Sequence, residues 1–107
     1  MLFKKDKTII SVNHGTGKSV VGPLRGTVEN IIIHPKKPKD NTGYVIYDFK
    51  ILDEQEDEIF FQEDIVGKYR NTEPIPVGKS CDERITCVIE NANYNIDFEI
   101  ILLTKER

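Results

Sequence analysis

Few stretches of this chain combine residue types that could do chemistry. Gly15-Thr16-Gly17-Lys18-Ser19 ends as a phosphate-binding loop does, with a lysine and a hydroxyl after glycine. Such a loop also needs a glycine five positions before its Gly-Lys-Ser, where this chain has Val12. It must lead into a helix whose first amides hold the phosphates, and Val20-Val21-Gly22-Pro23 does not sustain one. The spacing therefore predicts a hairpin turn. Asp53-Glu54-Gln55-Glu56-Asp57-Glu58 could offer oxygens to a hard cation, but it lacks the alternating aspartates and the glycine of a calcium loop. A solvated turn is expected there. Cys81 and Cys87 belong to no Cys-x-x-Cys pair, and only His14 and His34 could complete a zinc site. Cys87 falls in the apolar row of a strand and reads as a small core residue. A Cys81–Cys87 disulfide is geometrically possible and disfavoured in a reducing compartment. No serine or cysteine stands in a nucleophile elbow, and no carboxylate pair sits with aromatics as in a sugar-cleaving cleft. No catalytic residue, metal or cofactor is expected, and the chain is read as a non-enzyme.

Contact residues are easier to nominate. Lys36, Lys37 and Lys39 make a basic loop on a near-neutral chain, suited to an acidic protein surface or to phosphates. Ile101 and Leu103 fall on the face of the last strand that carries Asn95, Asp97 and Glu99 earlier on. An outer face that turns from acidic to apolar predicts either a covering loop or a partner. These five residues are the candidate interface. A carbohydrate-binding module would need an exposed aromatic platform, for which Tyr44, Tyr69 and Tyr94 are the available residues. A small nucleic-acid-binding barrel would use Lys36, Lys37, Lys39, Lys68 and Arg70. The net charge of −3 and the lack of aromatics among the loop lysines disfavour that second alternative. The scattered tyrosines disfavour a small-molecule ligand.

The elements that must position these residues read as strands. The 107 residues suit one domain, 1–107, which buries roughly 65% of its extended surface. Isoleucine and valine dominate the apolar set, tryptophan is absent, and Ala92 is the sole alanine. No window holds a 3.6-residue period, and no apolar run approaches a membrane span. The start lacks the apolar stretch of a signal peptide, so a cytosolic site, or a particle assembled there, is expected.

Residues 1–7 read as a short arm or the ragged start of the first strand. Thr8–Val12 and Lys18–Val21 are expected to pair as a hairpin about the Asn13–Gly17 turn. Val28–His34 is a strand whose Ile31-Ile32-Ile33 run is central or buried on both faces. Pro35–Gly43 is a loop. Val45, Tyr47, Phe49 and Ile51 alternate with Tyr44, Ile46, Asp48 and Lys50, then return through Glu58–Gln62 across the acidic turn. Asp64–Gly67 and Gly78–Ser80 read as turns, Lys68–Arg70 as a short extended piece, and Glu73–Val77, with two prolines, as an edge strand. Ile85–Glu90 and Tyr94–Leu103 are expected to form a final hairpin about Asn91-Ala92-Asn93. Seven to eight short strands with turns every 8–12 residues predict an all-β fold, an antiparallel β-sandwich.

Two pieces carry a resemblance. Val28-Glu29-Asn30-Ile31-Ile32-Ile33-His34-Pro35 precedes Tyr47-Asp48-Phe49-Lys50-Ile51, the acidic turn and Glu58-Ile59-Phe60. Glu73-Pro74-Ile75-Pro76-Val77 precedes Ile85–Ala92 and Tyr94–Leu103. This order resembles the small β-sandwich structural proteins of tailed bacteriophages, of the neck, head–tail joining, decoration or head-fibre type. Asn93-Tyr94 stands where the family's final turn has Asp-Gly. The resemblance implies an assembly role in a virion or the host cytoplasm: repeated copies docking on a capsid, portal or tail ring. The implied partners are other virion proteins or further copies of the chain. It transfers no site residues.

Overall fold

Among the described residues, eight strands form where β-branched and aromatic residues concentrate. They are β1 (Phe3–Ser11), β2 (Gly17–Val21), β3 (Gly26–Pro35), β4 (Val45–Leu52), β5 (Glu58–Gly67), β6 (Ile75–Cys81), β7 (Ile85–Glu90) and β8 (Asp97–Glu106). The computed structural model describes residues 3–36, 44–67 and 73–106, and none of these is helical. The strands form two antiparallel four-stranded sheets, ordered β1-β8-β3-β6 and β2-β7-β4-β5. The fold is an all-β sandwich. Every connection except β4–β5 passes from one sheet to the other, which is the topology of an eight-stranded jelly roll.

That topology corrects two expected hairpins. β1 pairs with β8, and β2 pairs with β7, so the turn at Asn13–Thr16 carries the chain over the edge of the sandwich. β7 and β8 likewise lie in different sheets. The reason is packing: Ile10 of β1 and Val21 of β2 both face the core, from opposite sheets. Gly17 permits the tight crossing, since a Cβ there would lie 2.5 Å from the Ser11 carbonyl oxygen and 2.8 Å from Ile10 Cγ2. Thr8 and Ser19 share a hydroxyl–hydroxyl hydrogen bond across the same margin. The β4–β5 hairpin forms as expected, with register shifts between Tyr47 and Phe49 and between Ile51 and Leu52.

One reading left open is decided for the first strand, and two local expectations change. Phe3–Lys7 is regular strand, paired with Ile101–Lys105. Asp64–Gly67 continues β5, with Asp64 in a positive-φ bulge (φ 53) whose amide donates to Asp48 Oδ1 at 2.9 Å. Gly78–Ser80 belongs to β6, where Gly78 takes φ 66 without ending the strand. β6 does lie at a sheet edge. The loop expected at Pro35–Gly43 begins after Pro35, the last residue of β3, and residues 37–43 lie outside the described set, as does the Lys68–Arg70 piece.

The core lies between the sheets. β4 supplies Val45, Tyr47, Phe49 and Ile51, β7 Ile85, Cys87 and Ile89, and β8 Phe98, Ile100 and Leu102, all buried. These are the inward positions their alternation predicts. In β3 a register shift between Val28 and Asn30 lets Val28, Ile31 and Ile33 all point inward, leaving Ile32 outside. The Ile31–Ile33 run is thus central in its sheet and half-buried at its middle residue. The Tyr47 and Phe98 rings meet edge to face across the core, centroids 4.8 Å apart.

Candidate interaction surface

The outer face of the β1-β8-β3-β6 sheet carries an apolar stripe, assembled by strand register. Ile101 lies opposite Lys7 on β1 and Ile32 on β3; Leu103 lies opposite Lys5 and Asn30. Ile32, Ile101 and Leu103 are half-buried against these cross-strand neighbours, while Ile9 and Phe3 on β1 are 55% and 61% exposed. Lys5 and Lys7 stand in the same outward row of β1, between Phe3 and Ile9 and opposite Leu103 and Ile101, so apolar and basic side chains interleave there. The alternation of β8 points to Ile101 and Leu103. Ile9, Ile32 and Phe3 join them only through pairing between strands far apart in sequence.

The basic loop is elsewhere. Lys36 sits at the other end of β8, where its amide donates to the Asp97 carbonyl at 2.9 Å and its ammonium lies 3.7 Å from Asp97 Oδ2. Four residues separate Asp97 from Ile101, about 13 Å along a strand. Lys36 therefore does not share a patch with Ile101 and Leu103. Lys37 and Lys39 lie outside the described residues.

Other polar groups are engaged in holding the fold. Asn93 acts as a short extra strand: its amide and side chain bind the Ile46 carbonyl, the Ile46 amide and the Tyr44 carbonyl at 2.9–3.1 Å. Asn95 Oδ1 accepts from the Gly15 amide, and Thr16 Oγ1 donates to the Ile89 carbonyl, pinning the β1–β2 turn. Asp48 accepts from the Asn91 side chain and from the Asp64 amide, and these bonds hold its carboxyl below the usual range. Lys50 pairs with Glu90, which raises the ammonium's pKa.

Some of the residues that looked chemically competent are occupied too. Asp53 Oδ1 caps its own turn through the Gln55 and Asp57 amides, and Glu54 accepts from the Arg84 amide. Among the described residues no three or more His, Cys, Asp or Glu side chains are placed to hold a metal. Gly17-Lys18-Ser19 lies in β2, with no helix behind it. Cys81 and Cys87 are free and buried; burial pushes the Cys87 thiol up to about 12, with a smaller contribution from Cys81. A thiol so raised is protonated at neutral pH and a poor nucleophile.

A cleft of about 440 Å³ opens between β5 and β6, its lining including apolar Ile33, Tyr47 and Ile75 and polar Gln62, Asp64 and Glu73. Burial raises the Tyr47 phenol above its ordinary value, so it stays neutral. Tyr44 and Tyr94 do not line this cleft, and Tyr69 is outside the described residues.

Comparison with known proteins finds no matching family, no similar curated protein and no similar solved structure. The site therefore stands on its own chemistry. Exposed apolar side chains interleaved with lysines suit contact between macromolecules.

Proposed function

We propose that this chain is a non-enzymatic structural protein that works in several copies within a larger particle, as the small virion proteins of tailed bacteriophages do. The observation that carries the proposal is the set of apolar residues Phe3, Ile9, Ile32, Ile101 and Leu103 on the outer face of the β1-β8-β3-β6 sheet. A two-sheet domain needs no apolar residues on an outer face to fold, so their presence there favours a partner. The jelly roll adds indirect support, because the same architecture serves in viral capsids, although it also serves in lectins and other binding proteins.

The test is mass by light scattering, with negative-stain imaging of the same sample. Wild type should form rings or other defined particles, and Ile101→Glu/Leu103→Glu should be smaller while keeping its far-UV circular dichroism. A monomer at every concentration, or assembly that ignores the double substitution, overturns the proposal.

A second reading rests on the β5–β6 cleft, whose volume falls in the range of small-ligand sites. It predicts a thermal shift with some member of a glycan or metabolite panel and none after filling the cleft with Ile75→Trp. Silence across the panel in wild type removes it.

A further inference from the structure

The two sheets leave four edge strands, and two of them are opposites in charge. β1 lies at one margin of the sandwich, beside β2, and β5 at the other, beside β6. β1 carries Lys4, Lys5 and Lys7 against a single acid, Asp6. Lys4 is 3.8 Å from Asp6, while Lys5 and Lys7 form no ion pair among the described residues. β5 and the turn before it, residues 53–67, carry seven carboxylates and no basic side chain. Each edge also exposes large apolar side chains: Phe3 and Ile9 on β1, Phe61 (46% exposed) and Val66 (51% exposed) on β5.

An exposed edge strand invites pairing with another chain, and proteins usually block it with charge or proline. β6 is blocked in this way, by Pro76 and the preceding Pro74. β1 and β5 contain no proline, and their charges forbid only like contacts. A β1–β1 contact sets lysine against lysine, and a β5–β5 contact sets carboxylate against carboxylate. A β1–β5 contact joins opposite charges around apolar centres.

We infer that β1 of one copy docks on β5 of the next, so that the chain associates head to tail with itself. This rests on the assembly reading above and supplies its contact. Because the two edges lie at opposite margins, the contact is heterologous, and it builds a ring where its rotation closes and a filament where it does not. The partner is a second copy of this chain, recognised by salt-sensitive pairing of Lys5 and Lys7 with Glu58 and Glu63.

Sedimentation velocity on the full chain tests this. Raising salt from about 0.05 M to about 0.5 M shortens the screening length from roughly 14 Å to roughly 4 Å, and the association constant should fall at least about tenfold. Lys5→Glu/Lys7→Glu and Glu58→Lys/Glu63→Lys should each be monomeric, with circular dichroism and melting close to wild type. Mixed in equal amounts, the two variants should associate again, since each repairs the other's edge. Wild-type mass in either variant, or a mixture of folded variants that stays apart, overturns the contact. If the charge variants assemble normally but Ile101→Glu/Leu103→Glu does not, only the edge contact falls. If neither set changes the mass, the assembly reading falls with it.

Discussion

Asp48 illustrates how a charged side chain on this molecule serves the fold. Its carboxylate fastens the Asn91 side chain on one side and the bulged Asp64 amide on the other. Both bonds favour the charged form and lower its pKa from 3.8, the hydrogen bond from Asn91 contributing most. The folded pKa lies below the unfolded one, so this stabilisation is fully present above the unfolded value and is lost as pH falls through the folded one. The side chain is open to solvent, and the effect is expected to be small, about 1 kcal/mol or less. Asp48→Asn should melt below wild type near neutral pH, and the difference should shrink below about pH 4. A difference that holds constant into acid would mean the charge plays no part. Such a role is invisible in the sequence, where Asp48 is one polar residue in an alternating strand.

At the scale of elements, the connections matter more than the strands. The sequence marks Asn13–Gly17 as a turn but does not say which sheet the next strand enters. Gly17 and Gly78 separate two reasons for a glycine. Gly17 has no unusual φ but no room, with backbone 2.5 Å from any Cβ, whereas Gly78 has open space but φ 66. Gly78→Ala should cost about 1 kcal/mol for the left-handed backbone. Gly17→Ala must move β1 or β2 and should cost more, about 2 kcal/mol or above. Urea midpoints measure both, and the reverse ranking would place the greater strain at Gly78 of β6 and remove the tight crossing. Asn93 makes a similar point: a turn residue in the sequence, it completes the edge of β4 by mimicking a strand.

For the whole molecule, the pairing of β1 with β8 brings the two ends of the chain together. Phe3 lies opposite Lys105 and Ser11 opposite Asp97, so the first strand closes one sheet over its whole length. Deleting residues 1–7 should therefore destabilise the domain, by about 2 kcal/mol or more, as five residues of β8 lose their partner. An arm would tolerate that deletion. Thermal melting decides, and an unchanged melting temperature would show that Phe3–Lys7 contributes nothing to the sheet. The same pairing places Lys5 opposite Leu103 and Lys7 opposite Ile101, which makes one surface out of residues nearly a chain length apart.

Alternation settled much in advance. Val45, Tyr47, Phe49 and Ile51 point inward, as do Phe98, Ile100 and Leu102, because a strand sends successive side chains to opposite faces and only one face is dry. Proline content settled that β6 lies at an edge, because a missing N–H cannot serve a central ladder. The absence of a helix-like period settled the all-β class. None of these local signals encodes which strand lies beside which. A hairpin and a crossing between sheets look alike at Asn13–Gly17 and at Asn91–Asn93, since turn residues report a change of direction and not its destination. That choice follows from burying Ile10, Val21, Ile89 and Phe98 in one core, which depends on all eight strands at once. The stripe on the outer face and the opposed charges of β1 and β5 follow from the same choice, and so they belong to the tertiary structure.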